Sequence, residues 1–327
     1  MAKKRVLSGM RPTGRLHLGH LVGALENWVK LQEQYECFYM IADWHGLMSE
    51  YTDPSQLSEL IRDNIVDWIS SGIDPEKSTI FIQSQVPEHA ELHLLLSMII
   101  PLGWLERCPT YKEQLRELSA KDVNTYAFLG YPVLQTADIL LYKAEAVPVG
   151  EDQLPHLELA REIVRRFTHL YRKDVFLEPE PILTKTPRLL GTDNRKMSKS
   201  YDNFIALSDE PGVVAEKTQR MITDPKRIKL SDPGHPEVCN VYSYYEVFKK
   251  ESLDEVSDWC RNAKLGCTEC KKNLAEVLNE GLKGIQTKRK ELLKDTGTID
   301  SIVKEGNEKA AQIAKATFSQ AREAVGL

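Results

Sequence analysis

The run Cys37-Phe38-Tyr39-Met40-Ile41-Ala42 is apolar at every position, with no alternation. It constrains the fold more than any other feature of the chain. A strand with one wet face alternates apolar and polar residues; a strand covered on both faces, as in parallel sheets, runs continuously apolar. Shorter strand-like runs recur at Val6-Leu7-Ser8-Gly9, Thr79-Ile80-Phe81-Ile82 and Ala146-Val147-Pro148-Val149. Helical patterns separate them. Leu21, Leu25 and Trp28, with Ala24 and Leu31 beside them, recur at helical spacing. Leu57, Leu60, Ile61, Ile65, Trp68 and Ile69 share one face of a helix that Asp53-Pro54 would open and Gly72 would close. A third helix is expected from Glu151 to Thr168. This alternation predicts an α/β fold, a Rossmann-like doubly wound parallel sheet with helices on both faces.

From about Thr184 the character changes. A polar loop, Gly191 to Ser200, is followed by mostly helical patterns such as Leu274, Leu278, Leu282 and Ile285, then an Ala/Lys/Glu-rich tail. The expected organisation is a sheet domain over 1–190, then the loop and a helical C-terminal domain over 191–327. A length of 327 residues, at about 150 per domain, gives the same count. The basic start, Met1 to Leu7, lacks the apolar stretch of a signal peptide. The most apolar segment, Leu92 to Gly103, is interrupted by His93, Ser97 and Pro101, and falls well short of the ~20 residues a membrane span needs. A soluble cytoplasmic protein with no membrane partner is expected. With 43 Lys+Arg against 48 Asp+Glu, net −5, any polyanion must bind a local basic surface.

Neither usual phosphate loop is present. Instead the first strand runs into Ser8-Gly9-Met10-Arg11-Pro12-Thr13-Gly14-Arg15-Leu16-His17-Leu18-Gly19-His20, which leads straight into a helix. Backbone N–H groups and the helix dipole attract an anion there, Gly19 permits close approach, and imidazoles can donate. The same residues would also serve as capping histidines, or as a metal pair lacking a third ligand. About 180 residues downstream stands Arg195-Lys196-Met197-Ser198-Lys199-Ser200. Alone, such a loop is usually just solvated. Together the two segments resemble the signatures of class I aminoacyl-tRNA synthetases: His17-Leu18-Gly19-His20 matches the family's HIGH motif, and Lys196 to Ser200 spells KMSKS. The resemblance implies attack of an amino-acid carboxylate on the α-phosphorus of ATP, with Mg²⁺ on the phosphates. Catalysis is then mainly positioning and charge stabilisation. His17, Gly19 and His20 would hold the α-phosphate and ribose side. Lys196 and Lys199, with Met197, Ser198 and Ser200 in the same loop, would close over the departing pyrophosphate.

At about 100° per residue, Tyr131, Gln135 and Asp138 fall within roughly 60° on one face of an otherwise apolar helix. They read as a pocket wall rather than an exposed stripe. Tyr131 to Tyr142, Val147 to Gln153 and Ser8 to Gly14 resemble tryptophanyl-tRNA synthetases. The resemblance implies that Asp138 accepts the indole N–H, a donor-only group matched by an acceptor-only carboxylate. It further implies that Tyr131 and Gln135 hold the α-ammonium, and that His45 and Gln153 line the pocket. Gly150, Glu151 and Asp152, with Arg11, Pro12, Thr13 and Leu189, would cradle the adenosine. L-tryptophan, ATP and tRNA(Trp) are the implied partners, and a homodimer the implied assembly. Tyrosyl-tRNA synthetases share the Tyr-x-x-x-Gln-x-x-Asp helix, but usually carry a tyrosine where Leu7 stands. A regulatory paralogue that binds tryptophan or RNA without charging tRNA is a further reading, opposed by intact His17, His20, Lys196 and Lys199.

Of six cysteines, Cys37 and Cys108 lie in apolar surroundings and read as small core residues. Cys239, Cys260, Cys267 and Cys270 have 20, 6 and 2 residues between successive members. Four thiolates suit tetrahedral Zn²⁺ or a [4Fe–4S] cluster. A subset of bacterial tryptophanyl-tRNA synthetases has a similar arrangement, with a slightly longer first spacer, holding [4Fe–4S] near the tRNA anticodon. The resemblance therefore implies the cluster. Arg261, Lys264, Lys271, Lys272 and the run Lys288-Arg289-Lys290 are candidate RNA contacts. Between Lys185 and Leu230 ten Lys/Arg stand against six Asp/Glu, so RNA affinity should be salt-sensitive.

Overall fold

The computed structural model describes residues 3–117, 123–183, 189–197 and 201–327. Five strands form one sheet: β1 (Arg5–Met10), β2 (Glu36–Ile41), β3 (Ser78–Ile82), β4 (Ala146–Val149) and β5 (Glu180–Leu183). The order is β3-β2-β1-β4-β5, and every pairing is parallel. From β1 the chain builds outward through β2 to β3, then crosses back to place β4 on the other side of β1. That reversal opens a crevice at the carboxyl ends of β1 and β4, where ligands bind in open α/β sheets.

The unbroken apolar pattern of β2 is explained by what lies on each side. Cys37, Tyr39 and Ile41 enter one core with Val6, Trp28, Trp68 and Ile80. Phe38, Met40 and Ala42 enter a second core with Leu7, Phe81, Leu140 and Phe167. The first core continues into the C-terminal region through Leu274, Leu278 and Leu282 of the helix Cys267–Lys294. Fully burying side chains of this size stabilises by about 1.5–3 kcal/mol each.

Local starts and stops differ in detail from expectation. Asp53 and Pro54 form a turn rather than the first helical residues: the Ser55 N–H donates to Asp53 Oδ1 at 3.2 Å, and the helix spans Leu57–Ser70. A 3₁₀ turn, Glu151–Gln153, precedes the helix Leu154–Tyr171. Leu21–Leu25 is a π-helical segment between Leu18–His20 and Glu26–Gln34. Such segments occur often at functional sites. Strand β5 carries Pro181 and pairs on one side only, an edge position that tolerates proline.

The other edge is covered. The last helix, Thr296–Val325, returns to lie along β3 and the helix Glu88–Ser97. Asn307 Oδ1 accepts the Ile82 N–H at 2.9 Å, satisfying a donor on the sheet edge. Gly306 makes the approach possible, since a Cβ there would lie 1.8 Å from the Ile80 carbonyl oxygen. Gly306→Ala is therefore expected to push the helix off the strand and cost about 1–3 kcal/mol, read as a lowered thermal midpoint; an unchanged midpoint would contradict this packing. Among the described residues, no helix is long and apolar enough to cross a membrane.

Candidate active site

A cleft of about 380 Å³ opens at the carboxyl ends of β1 and β4. Leu7 to Arg11 come from β1 and the turn after it, Val147 to Gly150 from β4, and Tyr131, Gln135, Asp138 and Ile139 from the helix Tyr126–Leu141. His45, Gln153, Gly23, Ala24 and Trp28 also line it. Thr125 starts the central helix by accepting the Phe128 N–H. Its 3.6-residue period then delivers Tyr131, Gln135 and Asp138 to one cavity, as the spacing predicts.

Asp138 lies at the base of the cleft and is only 2% exposed. His45 Nε2 is 2.8 Å from Oδ2; Gln83 Nε2 at 2.8 Å and His89 Nδ1 at 2.6 Å both reach Oδ1. Burial opposes ionisation, but hydrogen bonds from His45 and His89 outweigh it and hold the carboxyl well below the usual carboxylate range. A carboxylate accepts about four hydrogen bonds, and three positions are filled, leaving one on Oδ2. Around it Leu7, Met40, Ala42, Val147 and Ile139 are apolar. The site suits a flat apolar group bearing one donor.

Tyr131 is buried, and its hydroxyl lies 3.1 Å from His156 Nε2. Burial, then the charge of His45, lowers His156 to about 4, so its neutral ring can accept the Tyr131 proton. The Tyr131 oxygen is left free to accept from a ligand cation. Gln153 donates to Asp152 Oδ2 at 2.7 Å, which leaves its own carbonyl oxygen as an acceptor.

The two sequence motifs meet beside this cleft. The Leu18 N–H donates to the Ile205 carbonyl at 3.1 Å, the Leu207 N–H to the Leu16 carbonyl at 2.9 Å, and His17 stands opposite Ala206 in an isolated antiparallel bridge. Met197 and the His17 ring press against Gly19 so closely that a Cβ there would sit 3.1 Å from the Met197 sulfur and 3.0 Å from the ring. Buried Asn203 ties the base of the loop, donating to Asp193 Oδ1 at 2.7 Å and to the Lys196 carbonyl at 3.1 Å. Ser198, Lys199 and Ser200 lie outside the described residues.

His17 and His20 cap their own helix start. The His17 N–H donates to His20 Nδ1 at 3.2 Å, and the Gly19 N–H donates to His17 Nδ1 at 3.1 Å. Both Nδ1 atoms accept, so each neutral ring carries its proton on Nε2. Burial, then repulsion from His20, lowers His17 to about 3; burial lowers His20 to about 4. Two neutral N–H donors at a helix N-terminus result, with no proton to gain near neutrality.

Arg11 and Gly150 line the cleft, whereas Pro12, Thr13, Gly19, Glu151, Asp152, Lys196 and Met197 do not; Leu189 is buried in the core. Pro12 packs on Gly46. Gln83 and His89 behind Asp138, and His156 behind Tyr131, are absent from the sequence-derived set. Gln83 and His89 follow β3 and His156 sits in the first turn of Leu154–Tyr171, and no local pattern in the sequence marks them.

Cys37 and Cys108 are buried, as expected. The other four are half-buried: Cys239 is the N-cap of Asn240–Phe248, Cys260 lies in the last turn of Leu253–Arg261, and Cys267 and Cys270 occupy the first turn of Cys267–Lys294. Burial, then the charges of Cys239, Cys267 and Cys260, pushes Cys270 up to about 12, so the four thiols share one neighbourhood. Arg227 Nη1 lies 3.8 Å from Cys267 Sγ. Among the described residues, no group of three or more His, Cys, Asp or Glu is arranged to hold a metal ion.

One candidate RNA contact is corrected. Arg289 is drawn inward by Asp63 and Asp67, the latter at 2.6 Å. It links the helices Leu57–Ser70 and Cys267–Lys294, because two acidic groups side by side between packed helices attract a cation. Arg261 pairs with Glu237, Lys264 with Asp258 and Lys272 with Glu269, while Lys271 donates to the Gln219 carbonyl.

Residues 2–283 match the family described as tRNA synthetases class I (W and Y). A tryptophan–tRNA ligase of Thermotoga maritima is 52% identical over 99% of both chains, and one of Aquifex aeolicus is 43% identical over 99% of this chain and 100% of that one. A solved structure of tryptophanyl-tRNA synthetase from Campylobacter jejuni, complexed with ADP and tryptophan, superposes with a TM-score of 0.89 at 33% identity, covering 99% of this chain and 100% of that one.

Proposed function

Because the chain belongs to the class I tRNA synthetases of the W and Y family, we propose that it is a tryptophan–tRNA ligase of the cytosol. The tryptophan carboxylate oxygen attacks the α-phosphorus of ATP, the bond to the β-phosphate oxygen breaks, and pyrophosphate leaves with Mg²⁺. The tRNA terminal ribose hydroxyl then attacks the acyl carbon, AMP leaves, and the hydroxyl proton goes to solvent. The observation that carries the reading is the buried, ionised Asp138 with one acceptor position left in an apolar cleft. That position complements an indole N–H, and Leu7 offers no hydroxyl to a phenol.

In this reading Tyr131 Oη and the Gln153 and Gln135 side chains take the α-ammonium. Arg11, Pro12, Thr13 and Leu189 cradle the adenosine with Gly150, Glu151 and Asp152. His17 and His20 donate Nε2–H to the α-phosphate, where charge builds in the transition state. Lys196 and Lys199 neutralise pyrophosphate, with Met197 fixing the loop against Gly19 and Ser198 and Ser200 flanking it. Purified protein with tRNA(Trp) transcript, ATP and tryptophan should yield tryptophanyl-tRNA. Tryptophan binding without charging would favour the regulatory reading instead. Gel filtration giving twice the chain mass would accord with the family's homodimer.

The four cysteines are read as [4Fe–4S] ligands. Zinc on the same four thiolates is the alternative occupant. When bound, the group would supply a structural staple. Arg227 offsets thiolate charge, and the helix N-terminus at Cys267 and Cys270 favours it too. Anaerobically purified protein is expected to be brown with about four irons per chain; a colourless, zinc-loaded protein would overturn this assignment.

A further inference from the structure

We infer that His89 is a positioning residue that sets selectivity for the indole N–H by fixing how Asp138 presents its carboxylate; the inference rests on the reading of Asp138 as the tryptophan acceptor. His89 is 0% exposed and does not line the cleft, so it touches no substrate. Both its nitrogens are used: Nδ1 lies 2.6 Å from Asp138 Oδ1, and Nε2 lies 2.8 Å from the Tyr142 hydroxyl. The ring is held against Phe81 and Tyr142, with centroids 6.0 and 5.5 Å away. The Asp138 carboxylate only accepts, so Nδ1 carries the proton, and the Nε2 of the neutral ring accepts from the Tyr142 hydroxyl. Oδ1, which also accepts from Gln83, is pinned to the back wall. Oδ2, on the His45 side, is the oxygen left facing the cleft. Without the Tyr142–His89 chain, the carboxylate could rotate and offer a poorer acceptor.

The test compares tryptophan with benzothienylalanine, an isostere carrying sulfur in place of the indole N–H, as KM values in ATP–pyrophosphate exchange. The wild type should prefer tryptophan by roughly 10²-fold or more. His89→Gln reaches Tyr142 but has no atom at the Nδ1 position, whereas His89→Asn places an amide N–H there. His89→Gln should reduce the preference about tenfold with the ATP KM unchanged, and His89→Asn should keep it within about threefold. If His89→Gln loses stability or overall rate yet keeps the preference, His89 is only structural and the inference fails. Should His89→Gln not fold, Tyr142→Phe decides: a preference lowered by about threefold supports the chain, and an unchanged one overturns it. Asp138→Asn serves as the control. If the preference survives there, the reading of Asp138 itself falls; if it collapses there but not in the His89 variants, only this inference does.

Discussion

Asp138→Asn is expected to lower tryptophan-dependent adenylate formation by roughly 10³-fold or more, with the KM for ATP nearly unchanged. Three donors converge on the carboxylate, from His45, Gln83 and His89, and the indole would be the fourth. Asparagine exchanges one oxygen for an NH₂ group, so a donor faces a donor at whichever end it occupies. The substitution should therefore also cost stability, by about 1–3 kcal/mol, more than a surface change would. The pH dependence gives an independent check. Because the folded-state pKa lies below the ordinary 3.8, the stability contributed by Asp138 is fully present above 3.8 and is lost as pH falls below it through the folded pKa. The variant should lack this part of the acid limb in thermal unfolding. A variant that exchanges pyrophosphate normally with tryptophan would sink the pocket assignment.

His20→Ala is expected to reduce kcat for adenylate formation by about 10²-fold while leaving the tryptophan KM within about threefold. The cause is local: His20 Nδ1 is occupied by the His17 N–H, so only Nε2–H is available to stabilise phosphoryl charge. His20→Gln, whose amide nitrogen reaches the Nε2 position, should recover much of the loss. Since burial holds His17 near 3 and His20 near 4, kcat should show no ionisation near 6.5 from either ring. The stability effect has a definite sign. Below the ordinary value of 6.5 the unfolded chain binds protons that the folded site does not, so these rings make stability fall from pH 6.5 towards 4 and have no effect above it. A kcat profile with a histidine-like limb abolished in His20→Ala would contradict the neutral-donor assignment.

Much of this was legible where physics is periodic. Residues 37–42 alternate between two cores, which is why the run looks uniformly apolar in sequence. The 3.6-residue period alone brings Tyr131, Gln135 and Asp138 to one wall. What escaped depends on contacts between elements. Glu180 to Leu183 is short, half-exposed and interrupted by Pro181, so its pattern is weak. The C-terminal tail has the composition of any amphipathic helix, and nothing local says that Gly306 lies on the Ile80 carbonyl. His89 and Gln83 come from the segment after β3, far along the chain from the carboxylate they orient, a separation of 55 for Gln83 and 49 for His89. Arg289 sits in a basic run that reads as solvated or RNA-facing, yet two aspartates on another helix claim it.

The sharpest single experiment is ATP–pyrophosphate exchange by the purified protein, run in parallel with tryptophan and with tyrosine as the only amino acid. One acceptor position in an apolar cleft, beside two neutral histidine donors and the lysine loop, predicts exchange with tryptophan and a kcat/KM at least about 10³-fold lower with tyrosine. Equal exchange with both amino acids, or none with tryptophan, would contradict the tryptophan–tRNA ligase reading.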